Sequence, residues 1–167
     1  MNAAYLSLGS NIEPERHLRA AVQQLAHYGR VRAVSTVWET LPWGRADQPN
    51  FLNAVVLLET PLSAEAIRRE AIPAIEAALG RVRTADKNAP RTIDIDLMLY
   101  NRERLQLGSR HIPDPEVLAR PFVAIPLAEI APDYCHPETG QTMRAIAASL
   151  SPAGMRPRPD IRLETMI

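Results

Sequence analysis

The residues best suited to do chemistry stand together in Arg91-Thr92-Ile93-Asp94-Ile95-Asp96-Leu97-Met98-Leu99. Side chains alternate along a strand, so Asp94 and Asp96 share one face while Ile93, Ile95 and Leu97 take the other. The two carboxylates would then sit about 6–7 Å apart at their Cα atoms. At an effective dielectric of about 20, such charges repel by roughly 2–3 kcal/mol. Two readings stand open at this point. A hard divalent cation can sit between the pair, with water and phosphate oxygens filling its other positions. Alternatively, the acids belong to a solvated edge strand and pair with arginines.

Basic residues crowd the approach to this strand. Arg81, Arg83, Lys87 and Arg91 set four positive charges against Asp86 within residues 81–91. A basic loop feeding two carboxylates is what a metal–triphosphate site requires, since arginines neutralise phosphate oxygens with forked hydrogen bonds. A solvated loop is the plainer reading. The chain has no G-x-x-x-x-G-K-[ST], no G-x-G-x-x-G and no G-x-S-x-G, and its His residues are scattered. Any ATP held here must therefore be held by metal and Arg, not by a glycine-rich nest. Gly9-Ser10-Asn11 reads as a turn. A second group comprises Thr40-Leu41-Pro42-Trp43-Gly44 and Asn50-Phe51-Leu52-Asn53. Phe51 and Asn53 share a strand face. An aromatic beside an amide can stack on and hydrogen-bond a flat heterocycle; otherwise the ring is core and the amide ends a turn.

These groups need elements to position them. Residues 3–8 read as a strand running into a turn. A helix follows, with Asn11 or Glu13 as cap and Pro14 in its first turn, ending near Gly29. Residues 31–39 and 51–60 read as strands around a loop at 40–50. Ser63 caps a second helix that stops at Gly80 and is bent, or restarted, at Pro73. Residues 92–100 make a fourth strand, 101–112 a small hairpin or irregular arm, and 122–130 and 142–150 added helices. The order strand, helix, strand, strand, helix, strand is the ferredoxin-like split pattern. It predicts an α+β fold, with an antiparallel sheet, two helices on one face, and additional C-terminal helices. The other face is expected to be partly free, with loops at one end carrying function. Residues 1–150 are expected to form a single domain, and 151–167 a Pro-containing, loosely packed tail.

Composition narrows the partners. With 167 residues the chain suits one domain, and 19 basic against 19 acidic side chains leave no net charge. That argues against a general nucleic-acid or anionic-membrane binder, which wants a basic field, and leaves room for a local basic pocket. The lone Cys135 fits a reducing cytoplasm. The N-terminus does not read as a signal peptide, and no run approaches the roughly 18 apolar residues of a membrane span.

The chain resembles the 6-hydroxymethyl-7,8-dihydropterin pyrophosphokinase family of folate biosynthesis. The resemblance runs from Tyr5-Leu6-Ser7-Leu8-Gly9-Ser10-Asn11 to Phe122-Val123-Ala124-Ile125-Pro126-Leu127-Ala128-Glu129-Ile130-Ala131-Pro132. Its specific part is Lys87-Asn88-Ala89-Pro90-Arg91-Thr92-Ile93-Asp94-Ile95-Asp96-Leu97-Met98. It implies an enzyme that moves the diphosphate of ATP to a pterin with two Mg²⁺, leaving AMP. It assigns Asp94 and Asp96 to the metals and Arg81 and Arg91 to the phosphates. It puts Arg83 in a mobile loop over ATP, with Glu76 and Arg120 also on the ATP side. Asn53 reads the pterin edge, Phe51 and Phe122 sandwich the ring, and Thr40, Pro42 and Trp43 line it. The chain departs from the family pattern at Asp114, where His is usual, and at Asn88, where Trp is common. Arg110 and His111 are the expected substitutes beside Asp114. A monomer is expected. Two alternatives remain: a non-catalytic pterin- or nucleotide-binding relative, and a different DxD transferase acting on sugar nucleotides.

Overall fold

The computed structural model describes residues 1–42 and 46–163. Apolar side chains alternate along β1 (Asn2–Ser10), β4 (Phe51–Thr60) and β5 (Asp94–Tyr100), and these strands form the centre of one antiparallel sheet. The strand order is β5-β1-β4-β3-β8, with β3 at Trp38–Thr40 and β8 at Met155–Pro157. β2 (Arg30–Val34) pairs with the other half of the same β4 edge. The single strand expected over 31–39 is thus two strands. Ser35 marks the break, where its hydroxyl accepts from the Val55 N–H at 2.9 Å.

Leu6, Leu8, Val56, Ile93 and Ile95 point to one face, where α1 (Pro14–Leu25) covers them together with α2 (Ala64–Ala66) and α3 (Ile72–Ala78). Glu13 precedes α1 in a left-handed conformation without a side-chain cap, and the Asn11 side chain is used elsewhere. Ser63 caps α2, its hydroxyl accepting from the Ala66 N–H at 3.1 Å. Pro73 has no N–H to give and would crowd the Arg69 carbonyl in a regular helix. The chain answers with a π-helical turn over Ile67–Ala71 and continues as α3.

β6 (Leu105–Leu107) and β7 (Arg110–Ile112) form the expected hairpin. Beyond α4 (Glu116–Ala119), the added helices α5 (Pro121–Ile130) and α6 (Met143–Ala148) pack on the second sheet face over Tyr5, Val55 and Met98. The second face is therefore divided between packed helices and an open cleft. Over its described residues, 151–163, the expected loose tail is packed. It supplies β8, and Ile161 and Leu163 are buried in the first core. Local alternation and helical spacing are weak in this Pro-rich stretch, so its docking onto β3 left no periodic signal.

Candidate active site

Directly paired residues in an antiparallel sheet project to the same face. Asp94 pairs with Gly9, Gly9 with Asn53, and Asn53 with Trp38. In the next row of that face, Asp96 pairs with Ser7 and Ser7 with Val55. On the other side, Phe51 pairs with Thr40. Register alone thus brings both carboxylates, the amide and the aromatic onto the open half of the second face. Gly9 keeps the floor of that area low. A Cβ there would stand 2.9 Å from Asn53 Oδ1 and 3.9 Å from Phe51 Cδ1.

A cavity of about 480 Å³ occupies this area. Thr40, Pro42, Phe51, Asn53 and Phe122 line one part of it, and Arg91, Asp94, Asp96 and Arg120 another. Asn53 Nδ2 donates to Thr40 Oγ1 at 2.7 Å, which fixes the amide plane. The Arg91 guanidinium lies 5.8 Å from the Phe51 ring centroid, a cation–π distance. Trp43 lies outside the described residues.

A second cleft of about 350 Å³ opens on the far side of Asp96, lined by Arg68, Arg69, Arg83, Arg110 and the apolar edges of Ile72 and Ile112. Asp96 belongs to both linings. Its carboxyl is pushed up to about 7, by burial first and then by the Asp94 charge, against the pull of Arg110. Arg110 donates to Asp96 Oδ1 at 3.0 Å and to Asp114 Oδ2 at 3.3 Å. Asp114 Oδ1 also accepts from the Glu116 N–H at 2.9 Å at the start of α4. The acid that stands where His is usual therefore orients Arg110 and holds the first N–H of α4. His111 instead pairs with Glu138 at 2.9 Å and lines neither cavity.

Glu76 is buried and lines neither cavity. It accepts from Arg81 at 2.6 Å, from Arg83 at 3.1 Å and from the Ile95 N–H at 3.0 Å. Arg81 then reaches Asp94 at 2.8 Å, and Arg91 reaches the other Asp94 oxygen at 3.3 Å. Glu76 is thus the anchor behind the arginines, tying them to the start of β5. Arg91 is held further by the Ala89 and Lys87 carbonyls. Asn11 links the loops: its Oδ1 accepts from the Arg91 N–H at 2.8 Å, and its Nδ2 donates to Gln48 at 2.7 Å. Gln48 Nε2 in turn donates to the Asn88 carbonyl at 2.6 Å.

Sequence reasoning passed over several cavity-lining residues. Glu116 is one; its carboxyl is raised by burial and then by Asp114. Ser7 and Gly9 were readable only from strand register. Ala153, Gly154 and Met155 come from the segment taken for a tail. Among the described residues, no group of three or more His, Cys, Asp or Glu could hold a metal ion. Asp94 is paired with Arg81 and Arg91 and Asp96 with Arg110, so a hard cation completed by water and phosphate would take this carboxylate pair in place of arginine.

The profile of the family described as 7,8-dihydro-6-hydroxymethylpterin-pyrophosphokinase matches residues 5–132. A 2-amino-4-hydroxy-6-hydroxymethyldihydropteridine pyrophosphokinase of Methylorubrum extorquens is 42% identical over 158 residues, covering 93% of this chain and 98% of that protein. The protein of the same name from Bacillus subtilis is 42% identical over 132 residues, covering 77% and 78%. A crystal structure of an HPPK-DHPS protein in complex with substrates superposes with a TM-score of 0.69 at 15% identity, which speaks for the fold alone. That match covers 89% of this chain but only 43% of the solved one, so the chain spans under half of that protein.

Proposed function

The chain belongs to the 7,8-dihydro-6-hydroxymethylpterin-pyrophosphokinase family, and from that premise we propose that it transfers the β,γ-diphosphate of ATP to 6-hydroxymethyl-7,8-dihydropterin. The products are AMP and the pterin diphosphate. One observation carries the reading to this chain's own residues: Asn53, Gly9 and Asp94 stand in one ladder row. Two strand spacings separate the amide from the carboxylate by about 10 Å. That span suits a bicyclic ring with its hydroxymethyl arm directed at the acids.

Each side chain then has a task. Phe51 and Phe122 stack on the ring, and Asn53, oriented by Thr40, reads its polar edge. Thr40 and Pro42 line the ring, and Trp43 joins them in this assignment. Asp94 and Asp96 would hold two Mg²⁺ ions, and their fit rests on the two carboxylates lining the cavity from one face of β5. When bound, the metal neutralises and polarises triphosphate oxygens. The hydroxymethyl oxygen attacks the β-phosphorus, the bond from that phosphorus to the α,β-bridging oxygen breaks, and AMP leaves. The hydroxyl proton passes to water. Arg81 and Arg91, anchored by Glu76 and by loop carbonyls, face the charge that develops on the transferred group. Arg83, Arg110 and Arg120 bind the rest of the triphosphate, and Arg110 is aimed by Asp114. His111, paired with Glu138, has the weakest claim among the ATP-side assignments. Most of the rate comes from holding the two substrates in line.

Asp114 orients Arg110 and accepts from the Glu116 N–H, which supports a working site over a decayed one. No helix of the described residues is long and apolar enough to cross a membrane. The lone Cys is consistent with a cytoplasmic enzyme. The test is incubation with ATP, Mg²⁺ and 6-hydroxymethyl-7,8-dihydropterin, followed by phosphorus NMR. AMP and the pterin diphosphate should appear together in equal amounts. Absence of AMP would overturn the proposal, and turnover of a sugar nucleotide instead would favour the other DxD chemistry.

A further inference from the structure

The segment after residue 150 lies outside the span matched by the family profile, yet it reaches the cavity. Met155 of β8 pairs with Thr40, and Pro157 pairs with Trp38. This extends the ladder by one strand, so that Met155, Thr40 and Phe51 form a row on the cavity face. Ala153, Gly154 and Met155 all line the cavity. Gly154 adopts a φ of 81°, and a Cβ on it would stand 3.6 Å from the Leu41 side chain, so the turn lies directly against the loop after β3.

The added strand is clamped at one residue. Glu39 Oε1, on β3, accepts from Arg156 at 3.0 Å and from Arg158 at 2.8 Å, while its Oε2 accepts from Asn50 at 3.0 Å. The Arg158 N–H also donates to the Val37 carbonyl at 2.8 Å. These bonds hold the Glu39 carboxyl down at about 2, with Asn50 the largest cause and the two arginines next. The clamp therefore stays charged at any pH at which the protein works. Beyond it, Ile161 and Leu163 are buried in the core and fasten the far end of the segment.

Resting on the pterin reading above, we propose that residues 153–158 are a substrate-positioning wall. The Glu39 clamp holds β8 on β3, and β8 closes the heterocycle side of the cavity and fixes the Thr40–Pro42 wall opposite Phe51. None of residues 153–158 lines the second cleft, so the segment should act on the pterin more than on ATP. Arg156 and Arg158 are positioning residues in this scheme, and Met155 is a wall residue that sets how bulky a ring substituent fits.

The experiment compares the full chain with the double variant Arg156→Ala/Arg158→Ala, its Lys/Lys counterpart, and Met155→Ala. Calorimetric dissociation constants are measured for 6-hydroxymethyl-7,8-dihydropterin and, separately, for Mg·ATP. In the double Ala variant the pterin constant should rise about tenfold while that for Mg·ATP stays within about twofold. The Lys pair should recover most of the loss, because Glu39 again has a cation on each side. Met155→Ala leaves the clamp intact, so it tests the wall even where the double variant does not fold. It too should weaken pterin selectively and admit a bulkier ring substituent. An unchanged pterin constant in folded Met155→Ala, or equal weakening of both ligands, overturns the proposal. A wild-type protein that binds no pterin overturns the functional reading and this inference with it. A wild type that binds pterin beside variants that bind it equally well overturns this inference alone.

Discussion

The heterocycle-side cavity and the arginine-lined cleft meet at Asp96, but different forces hold them in shape. The cavity is built on the sheet: Gly9, Phe51, Asn53, Thr40 and Met155 are spaced by ladder hydrogen bonds across four neighbouring strands. Its form should therefore depend little on ligand. The cleft is lined by loop and helix arginines, of which Arg83 and Arg110 are set by ion pairs to Glu76, Asp96 and Asp114. Some of these carboxylates stand where phosphate and metal would go, so ligand binding must exchange one set of charge partners for another. On the proposed function, the sheet-built slot would orient the acceptor, while an exchangeable charge network would receive the donor.

The largest effect should come from the residues where the two regions join. Asp94→Ala and Asp96→Ala should each lower turnover by at least about a hundredfold with the fold retained. Near-normal AMP release by either folded variant would remove the acids from the chemistry and dissolve the boundary between the regions. The next effect isolates the cavity. Gly9→Ala drives a methyl to 2.9 Å from Asn53 Oδ1, so the amide must shift. Pterin affinity should fall about thirtyfold, the scale of a lost buried hydrogen bond plus a clash, and Mg·ATP affinity should hold. An equal fall in both would mean the two regions are one cooperative unit.

Asp96 gives a pH test on the other side of the boundary. Its folded carboxyl sits at about 7, above the ordinary 3.8. In the metal-free protein the folded state thus keeps a proton that the unfolded state releases between those values. Stability should be greatest below about pH 4, with respect to this group, and should fall as pH rises toward 7. Cation binding has the opposite sign, because the proton must leave first. Mg·ATP affinity should rise by up to about tenfold from pH 6 to pH 7 and flatten above it, while pterin affinity stays level. A flat Mg·ATP profile measured by calorimetry would show that Asp96 is already ionised and would weaken the case for a shared cation.

How much of this was legible follows from the same division. Asp94 and Asp96 were readable because alternation on one strand is a local rule, and Ile93, Ile95 and Leu97 are indeed buried on the opposite face. The split β-α-β order gave the sheet, since its elements carry clear periodicity. Register between strands is not local, so the row joining Asn53, Gly9 and Asp94 had to be seen. Glu76 reads in sequence as one more charged helix residue, and only its burial reveals it as an anchor. β8 was missed because three residues of strand flanked by Pro and Gly show no pattern of their own. Their place is decided by Glu39, more than a hundred residues earlier in the chain.

The smallest expected effect bears most directly on the comparison. Arg83 and Arg110 keep 73% and 48% of their side chains exposed, so salt can reach them. Raising ionic strength from about 0.1 M to 1 M shortens the screening length from about 10 Å to about 3 Å. Attraction between these arginines and a triphosphate should weaken, and the apparent KM for Mg·ATP should rise a few-fold. Stacking on Phe51 and Phe122 and the Asn53 contact act at touching distance and carry no net charge. The KM for the pterin should therefore change less than about twofold over the same range. The pairing of Arg91 with Phe51 couples the regions at one point, because the same guanidinium faces the ring and Asp94. If pterin KM tracks ATP KM with salt, that coupling governs both sites and the slot is not preformed. If the two diverge, the sheet holds the acceptor independently of the charges that receive the donor.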